Sequence, residues 1–462
     1  MGRVRHWVVI GWLGGTMVGC GGDDTCDSKA AGNNEVAGLG PGSYQLTAKN
    51  VVPNHPADAP HAAAYEGAMV RIDLGSHLPF AGDAAFDTTA IVTARYGAPL
   101  LYAAHWGDGQ IVLTVPPPYY PTEGPEDTRA WEVITLTPDP ERTSPARGEA
   151  DLSHSVSCGD CYAPVKLHAD VSVALDDAPA EARLVVGPSR GPEDVLLPWD
   201  EIVVRFSEPV QFEAPDSAAL TVRQSGETLS SHYYTAPDLI EVVGAAGFSR
   251  VHGFLDTWPK AGQSQLDVEV GPTLDLAGNR SGTLQFAAPV ADLGAPAAPS
   301  ELLASQPYTW GAVAFTTDNP LCETSACAEL GPFVECGSER IGFARAVTVP
   351  GGVGKLEVRY RVLSYGDTLP TSTSFRLELA SPGSHGDVQG PAPTTAFTPL
   401  PSPVLGATGA TDSLTFTATT FASPGEPTAL AIYAGPGDTQ PCPSSLPPAA
   451  KLAVLIESIG AQ

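Results

Sequence analysis

Glu201-Ile-Val-Val-Arg-Phe-Ser-Glu-Pro-Val210 is the stretch from which the architecture is read. Its first six residues are rich in β-branched and aromatic side chains, a strand composition. Ser207-Glu208-Pro209 then interrupts the run, because proline lacks a ladder donor and is confined to an edge or a bulge. Further along, the strand-like Leu266-Asp-Val-Glu-Val270 leads into Asp275-Leu-Ala-Gly-Asn279. Asp275 and Asn279 flank Gly278 in a turn where left-handed backbone angles cost little. Both motifs read as structural, and neither is expected to do chemistry.

In this order, about one domain apart, the two motifs resemble the bacterial Ig-like domain family of surface-layer and cell-surface proteins. The resemblance implies a central β-sandwich over residues 181–290 that serves as surface scaffolding. Working outward, Gly (48) and Pro (45) exceed their usual combined share of about 12%, and both residues end helices and populate turns. Short β-rich runs fill the flanks: Ala68–Leu74, Thr89–Arg95, Gln110–Val115, Trp131–Thr137 and Val165–Leu175 before the centre, and Arg340–Val349, Ser374–Leu379, Ser413–Ala418, Ala429–Tyr433 and Lys451–Ile459 after it. Lys355–Val362 alternates, with Leu356, Val358, Tyr360 and Val362 on one face and charges on the other. The expected fold class is all-β: β-sandwiches in series, with the Ig-like domain central and a C-terminal sandwich whose strand number and length resemble a jelly roll. The expected divisions are 44–180, 181–290, a Pro/Ala linker at 291–300, and 301–462.

The chain opens with Arg3 and Arg5, a short apolar core from Trp7 to Leu13, and Met17-Val-Gly-Cys20. That core is far shorter than the roughly 20 residues that span a bilayer, so it reads as a targeting segment. The closing residues resemble the lipobox of bacterial lipoproteins. The resemblance implies a signal peptide at 1–19, acylation of Cys20, and a membrane partner reached through that lipid. Gly21 after the cysteine implies the outer membrane, and the Gly-rich residues 20–43 then form a flexible tether.

Fifty-two acids against 24 bases give a net charge of −28, which phosphate backbones repel, so nucleic acid is excluded as a partner. Eight cysteines occur, and acylation of Cys20 leaves an odd number, with Cys26 in the tether the odd one. Disulfides are expected among Cys158, Cys161, Cys322, Cys327, Cys336 and Cys442. The last four allow three connectivities, one of which staples the far C-terminal loop to the 322–336 segment. Cys158 and Cys161 with His154 and His168 carry two further readings, a tetrahedral zinc set and a redox pair. Gly187-Pro-Ser-Arg-Gly191 has the spacing of a nucleophile elbow, but Pro192–Pro198 is no helix, as that elbow requires. Carboxylate pairs such as Glu132/Asp139, Asp176/Asp177 and Glu193/Asp194 read as solvated surface. No cofactor is expected and no metal ligands are assigned. Single tryptophans read as core, and Tyr119-Tyr120, boxed between prolines, is the best candidate ligand surface.

The functional expectation is therefore a lipid-anchored, extracytoplasmic structural, adhesion or interaction protein without catalytic activity. The alternative is a polysaccharide-binding or enzyme-accessory module acting through the C-terminal sandwich.

Overall fold

A computed structural model describes residues 39, 42–74, 89–107, 109–115, 124–138, 146–157, 162–185, 195–213, 219–231, 233–235 and 247–297. In the last third it describes 307–317, 319, 322, 327–331, 341–348, 355–365, 373–380, 395–397, 409–410, 412–419, 427–436 and 451–461. The leader, Cys20, Cys26 and most of the tether lie outside the described residues, as do Cys158, Cys161, Cys336, Cys442, Tyr119, Tyr120 and Ser189.

The first region closes on itself. Strands β1 (Gly42–Pro53), β2 (Met69–Leu74), β3 (Thr89–Ala94), β4 (Leu100–Gly107), β5 (Gln110–Thr114), β6 (Trp131–Pro138), β7 (Ala146–Ser157) and β8 (Tyr162–Leu175) pair in sequence order, and β8 returns to β1. This up-and-down barrel departs from the sandwich expected at the N-terminus, while the all-β class holds. An eight-stranded barrel is just wide enough for side chains to fill. Leu46, Ile72, Val92, Tyr102, Leu113, Trp131, Leu136 and Leu152 fill this one, joined by Ala62 and Tyr65 of the short helix α1 (Ala59–Tyr65). In β8, Val165, Leu167, Ala169, Val171 and Val173 are buried, whereas Lys166 and Asp170 between them are exposed. Apolar inside and charged outside is the reverse of a membrane-spanning barrel. No helix among the described residues is long and apolar enough to cross a membrane.

Gly148 in β7 marks the tightest wall contact: a Cβ there would meet the Thr135 carbonyl oxygen at 2.3 Å and Leu136 Cδ2 at 2.7 Å. Because a backbone oxygen cannot step aside, Gly148→Ala is expected to destabilise the chain by about 1–3 kcal/mol in urea unfolding. An unchanged midpoint would contradict this packing.

The second region is a sandwich of two antiparallel sheets. β9 (Ala182–Val185), β10 (Ile202–Phe212), β13 (Tyr233–Thr235), β14 (Phe248–Gly253) and β16 (Thr273–Asp275) form one; β11 (Leu220–Gln224), β12 (Glu227–Ser230), β15 (Gln265–Val270) and β17 (Leu284–Pro289) form the other. Ile202, Val204, Phe206, Val222, Leu266 and Val268 share the core between them. The β10–β14 register shifts between Arg205 and Val210, so Ser207-Glu208-Pro209 sits in a bulge, where the missing donor of Pro209 costs nothing.

The third region is a larger, jelly-roll-like sandwich. One sheet holds β18 (Tyr308–Trp310), β21 (Ile341–Thr348), β23 (Thr373–Ala380), β24 (Thr395–Phe397) and β27 (Pro427–Pro436). The other holds β19 (Val313–Thr316), β20 (Cys327–Leu330), β22 (Lys355–Tyr365), β25 (Gly409–Ala410), β26 (Leu414–Thr419) and β28 (Lys451–Ala461). Val358, Tyr360 and Val362 are fully buried while Arg359 is exposed, as the alternation requires. Cys322 and Cys327 are disulfide-bonded, with Cα atoms 5.6 Å apart. That bond removes the two connectivities in which Cys322 pairs with Cys336 or Cys442, both of which lie outside the described residues.

The Pro/Ala linker does not swing free where it is described. Ala297 bridges Val347 of β21, and Ala291 and Leu293 join Trp199, Trp310, Ala346 and Tyr433 in an apolar cluster between the second and third regions. Trp131, Trp199 and Trp310 are all core residues, as expected of single tryptophans in β folds.

Candidate functional site

The joint between the barrel and the central sandwich is built differently, from charge. On β2, Val70, Ile72 and Leu74 point into the barrel, so Arg71 and Asp73 must point outward, two residues apart on one face. Register places Ser43 and Gln45 of β1 opposite Asp73 and Arg71, and Thr93 of β3 opposite Arg71. Outward residues of a barrel normally meet water. Here Asp73 and Thr93 are buried, because the central sandwich covers the patch.

Three carboxylates join them, one from the end of the barrel and two from the covering sandwich. Asp176 directly follows β8, and its N–H donates to the Ser43 carbonyl at 3.0 Å. Glu208 comes from the bulge of β10. Asp275 ends β16 opposite Val210. One ligand oxygen from each of Asp176, Glu208 and Asp275 lies within 4.8 Å of the other two, and all three residues are buried. Arg71 is the cation among them: its guanidinium pairs with Glu208 and lies 3.3 Å from Asp176 Oδ1.

The turn of the second motif fixes Asp275. Gly278, at φ +85°, makes the reversal. Asn279 N–H then donates to Asp275 Oδ1 at 2.8 Å, and Asn279 Nδ2 donates to Asp275 Oδ2 at 3.1 Å. The same amide lies 3.1 Å from the Ala178 carbonyl and 3.3 Å from that of Asp176, so this turn also grips the interdomain segment.

A rim of exposed and half-buried pairs surrounds the cluster. Ser207 and Glu181 exchange hydrogen bonds: Ser207 N–H donates to the Glu181 carbonyl at 2.8 Å, and Ser207 Oγ accepts from Glu181 N–H at 2.9 Å. Tyr96 N–H donates to the Ser207 carbonyl at 3.3 Å, and Arg95 pairs with Glu181. Arg183 lies over the Tyr96 ring at 4.2 Å and grips Glu126 of the barrel with both terminal nitrogens, at 3.2 and 2.7 Å.

Burial dominates the electrostatics. It pushes the Asp73 carboxyl up to about 7, with Asp176 and Asp275 adding to the rise while the Ser43 hydrogen bond and Arg71 oppose it. Asp176 is raised to about 6, by burial first and then by Asp275, against the pull of Arg71. Asp275 is raised as well, again by burial, and the hydrogen bonds from Asn279 hold it back. Four acidic side chains therefore face a single guanidinium in a nearly dry joint, and neutral or cation-bound carboxyls are the physical remedies.

The other candidates from sequence fare differently. Asp176 enters the cluster, whereas Asp177 stays exposed, as surface acids should. Glu132 forms an ion pair with Lys166. Asp139, Glu193 and Asp194 lie outside the described residues. His154 and His168 do not converge. His154 shares the inward parity of Leu152 and stacks on His61 with centroids 4.9 Å apart; His168 faces outward opposite Asp151, 3.0 Å from its Oδ1. The barrel wall separates them, so the zinc set of two histidines with Cys158 and Cys161 is not assembled as read. Arg71 and Asp73 were not singled out from sequence. Their one legible signal is a charged pair, two apart, on the outer face of a short strand.

No family model and no curated protein matches the chain. Among solved structures, it is similar to carbohydrate-binding modules of the β-sandwich superfamily, at 11% identity over 62% of this chain and 99% of that one, with a TM-score of 0.22. It is also similar to the isomalto-dextranase of Arthrobacter globiformis T6, at 14% identity over 73% of this chain and 39% of that one, with a TM-score of 0.20. The enzymatically active domain of bacteriophage CBA120 tailspike protein 4 matches at 14% identity over 33% of this chain and 18% of that one, also with a TM-score of 0.20. This chain thus spans well under two thirds of the last two proteins. At these scores none defines a common whole-chain arrangement.

Proposed function

We propose that this chain is a lipid-anchored, extracytoplasmic scaffold that holds three β domains in fixed relation and acts by presenting surfaces rather than by catalysis. The observation that carries the reading is the ionic joint. The charged residues of both Ig-like motifs, Glu208 and Asp275, are buried against the barrel instead of lining a cleft. The second joint, an apolar cluster around Trp199 and Trp310, couples the Ig-like domain to the C-terminal sandwich. Acylation of Cys20 would place this body on the outer membrane, beyond the Gly-rich tether.

The test is a distance measurement on the full chain in detergent. Spin labels carried by non-cysteine chemistry at exposed Lys49 on the barrel and Thr228 on the Ig-like domain are expected to give one narrow distance distribution. A distribution as broad as that of flexibly linked domains would overturn the scaffold reading. Mass analysis of the native N-terminus tests the anchor, and an unmodified Cys20 would refute it. A glycan panel separates the polysaccharide-binding alternative: saturable binding by the C-terminal sandwich would replace the scaffold reading with that one.

A further inference from the structure

We infer that the joint between barrel and Ig-like domain is a calcium site, with Asp176, Glu208 and Asp275 as its protein ligands. Two independent observations carry this. The first is the donor set: three carboxylates from three separate segments, each offering an oxygen within 4.8 Å of the other two. Oxygens bound to calcium at 2.3–2.6 Å stand at most about 4.6–5.2 Å apart across the ion, so this spread fits a calcium shell. Magnesium dehydrates reluctantly and usually keeps several waters, which a nearly dry joint does not supply. The set has no sulfur or imidazole, which zinc would favour.

The second observation is Asp176. Its side chain is 1% exposed, and its carboxylate is met only by Arg71, 3.3 Å from Oδ1, and by the Ala178 N–H. Neither contact has the geometry of a good hydrogen bond, so this buried carboxylate is under-satisfied. Both Asp275 oxygens, in contrast, are held by Asn279 on the far side of the turn, which orients that carboxylate without consuming all its lone pairs. A buried carboxylate oxygen left bare costs several kcal/mol unless a cation or a donor meets it. Arg71 supplies one positive charge against the three ligand carboxylates, so a divalent ion is the complement that the joint lacks.

The site adds a ligand to the scaffold's joint but does not depend on what the scaffold's surface touches. Its consequence is regulatory: the relation between barrel and Ig-like domain would tighten in calcium-rich surroundings and loosen in their absence.

The experiment is titration of the chelator-stripped full chain with calcium chloride, followed by calorimetry and by thermal unfolding. One ion per chain is expected, with an affinity near the 10⁻⁴–10⁻³ M typical of extracellular calcium modules, and with a rise in the unfolding midpoint. Glu208→Gln, Asp275→Asn and Asp176→Asn keep side-chain shape and are each expected to weaken binding by roughly tenfold or more. Absence of both heat and midpoint shift in the wild-type chain at about 10 mM calcium would overturn the site whatever the variants do. Wild-type affinity in all three variants, or tighter binding of magnesium than of calcium, would overturn it equally. The spin-label distances are taken both in chelator and with calcium: breadth in both overturns the scaffold, whereas absence of binding heat overturns the calcium site alone.

Discussion

Arg71→Ala is expected to lose about 3–5 kcal/mol of unfolding free energy, the cost typical of removing one partner from a buried ion cluster. The Arg71 side chain is 12% exposed, and its partners Asp176 and Glu208 are 1% and 3% exposed, so water cannot replace the lost cation. Removing it leaves the carboxyls of Asp73, Asp176, Glu208 and Asp275 facing one another in a nearly dry space. Urea unfolding of the chelated full chain measures the loss. A change below about 1 kcal/mol, the size of an exposed surface pair, would show that the cluster is not an electrostatic joint. The double variant Arg71→Met with Glu208→Gln removes charge from both sides of the pair and is expected to recover part of the loss, because a buried pair replaced by neutral groups of similar shape is often tolerated. The rim pairs Arg95–Glu181 and Arg183–Glu126 are largely exposed, and truncating either should matter far less.

Asp73→Asn is expected to make the chain more stable at pH 8 and to flatten its stability profile between pH 4 and 7. The Asp73 carboxyl titrates near 7 in the folded chain against 3.8 in its ordinary state, so the folded form holds the proton more tightly. The stabilising contribution of that proton is complete below about pH 3.8, erodes as pH rises, and is gone above about 7. The whole span corresponds to something on the order of 4 kcal/mol. Groups facing Asp73 come from four segments: Ser43 on β1, Arg71 on β2, Asp176 after β8 and Asp275 at the end of β16. Asparagine keeps an oxygen that can accept the Ser43 hydroxyl and cannot ionise, which removes the cost of a buried anion. Urea midpoints across this pH range, measured in chelator, decide the matter. Parallel profiles for the two chains would mean that Asp73 is ionised throughout and balanced by Arg71.

Much of the fold is legible in local pattern. Val165–Leu175 and Lys355–Val362 alternate cleanly, and each is a strand with one buried face. β4 and β7 are harder to read. Leu100–Gly107 opens on adjacent leucines, and Ala146–Ser157 is mostly small and polar, with only Ala150 and Leu152 as inward anchors in its middle. Without those strands the first region lacks the count needed to close, and closure into a barrel is a property of the whole set. The bulge at Pro209 and the turn at Gly278 were legible for the same reason that the strands were: proline and glycine impose their backbone constraints wherever they occur.

Residue order alone therefore determined a β-rich, acidic chain whose central strand bulge and turn are marked by proline and glycine, because periodicity, Gly/Pro placement and charge are local or summed properties. The tertiary structure decided the joint. Arg71, Asp73, Asp176, Glu208 and Asp275 come from four segments far apart in the chain, and they meet only because the barrel closes and the central sandwich packs against its wall. A charged residue on the outer face of a strand reads as solvated until the surface that covers it is known. At Arg71 and Asp73, that covering surface turns two ordinary outward charges into the centre of the molecule's electrostatics.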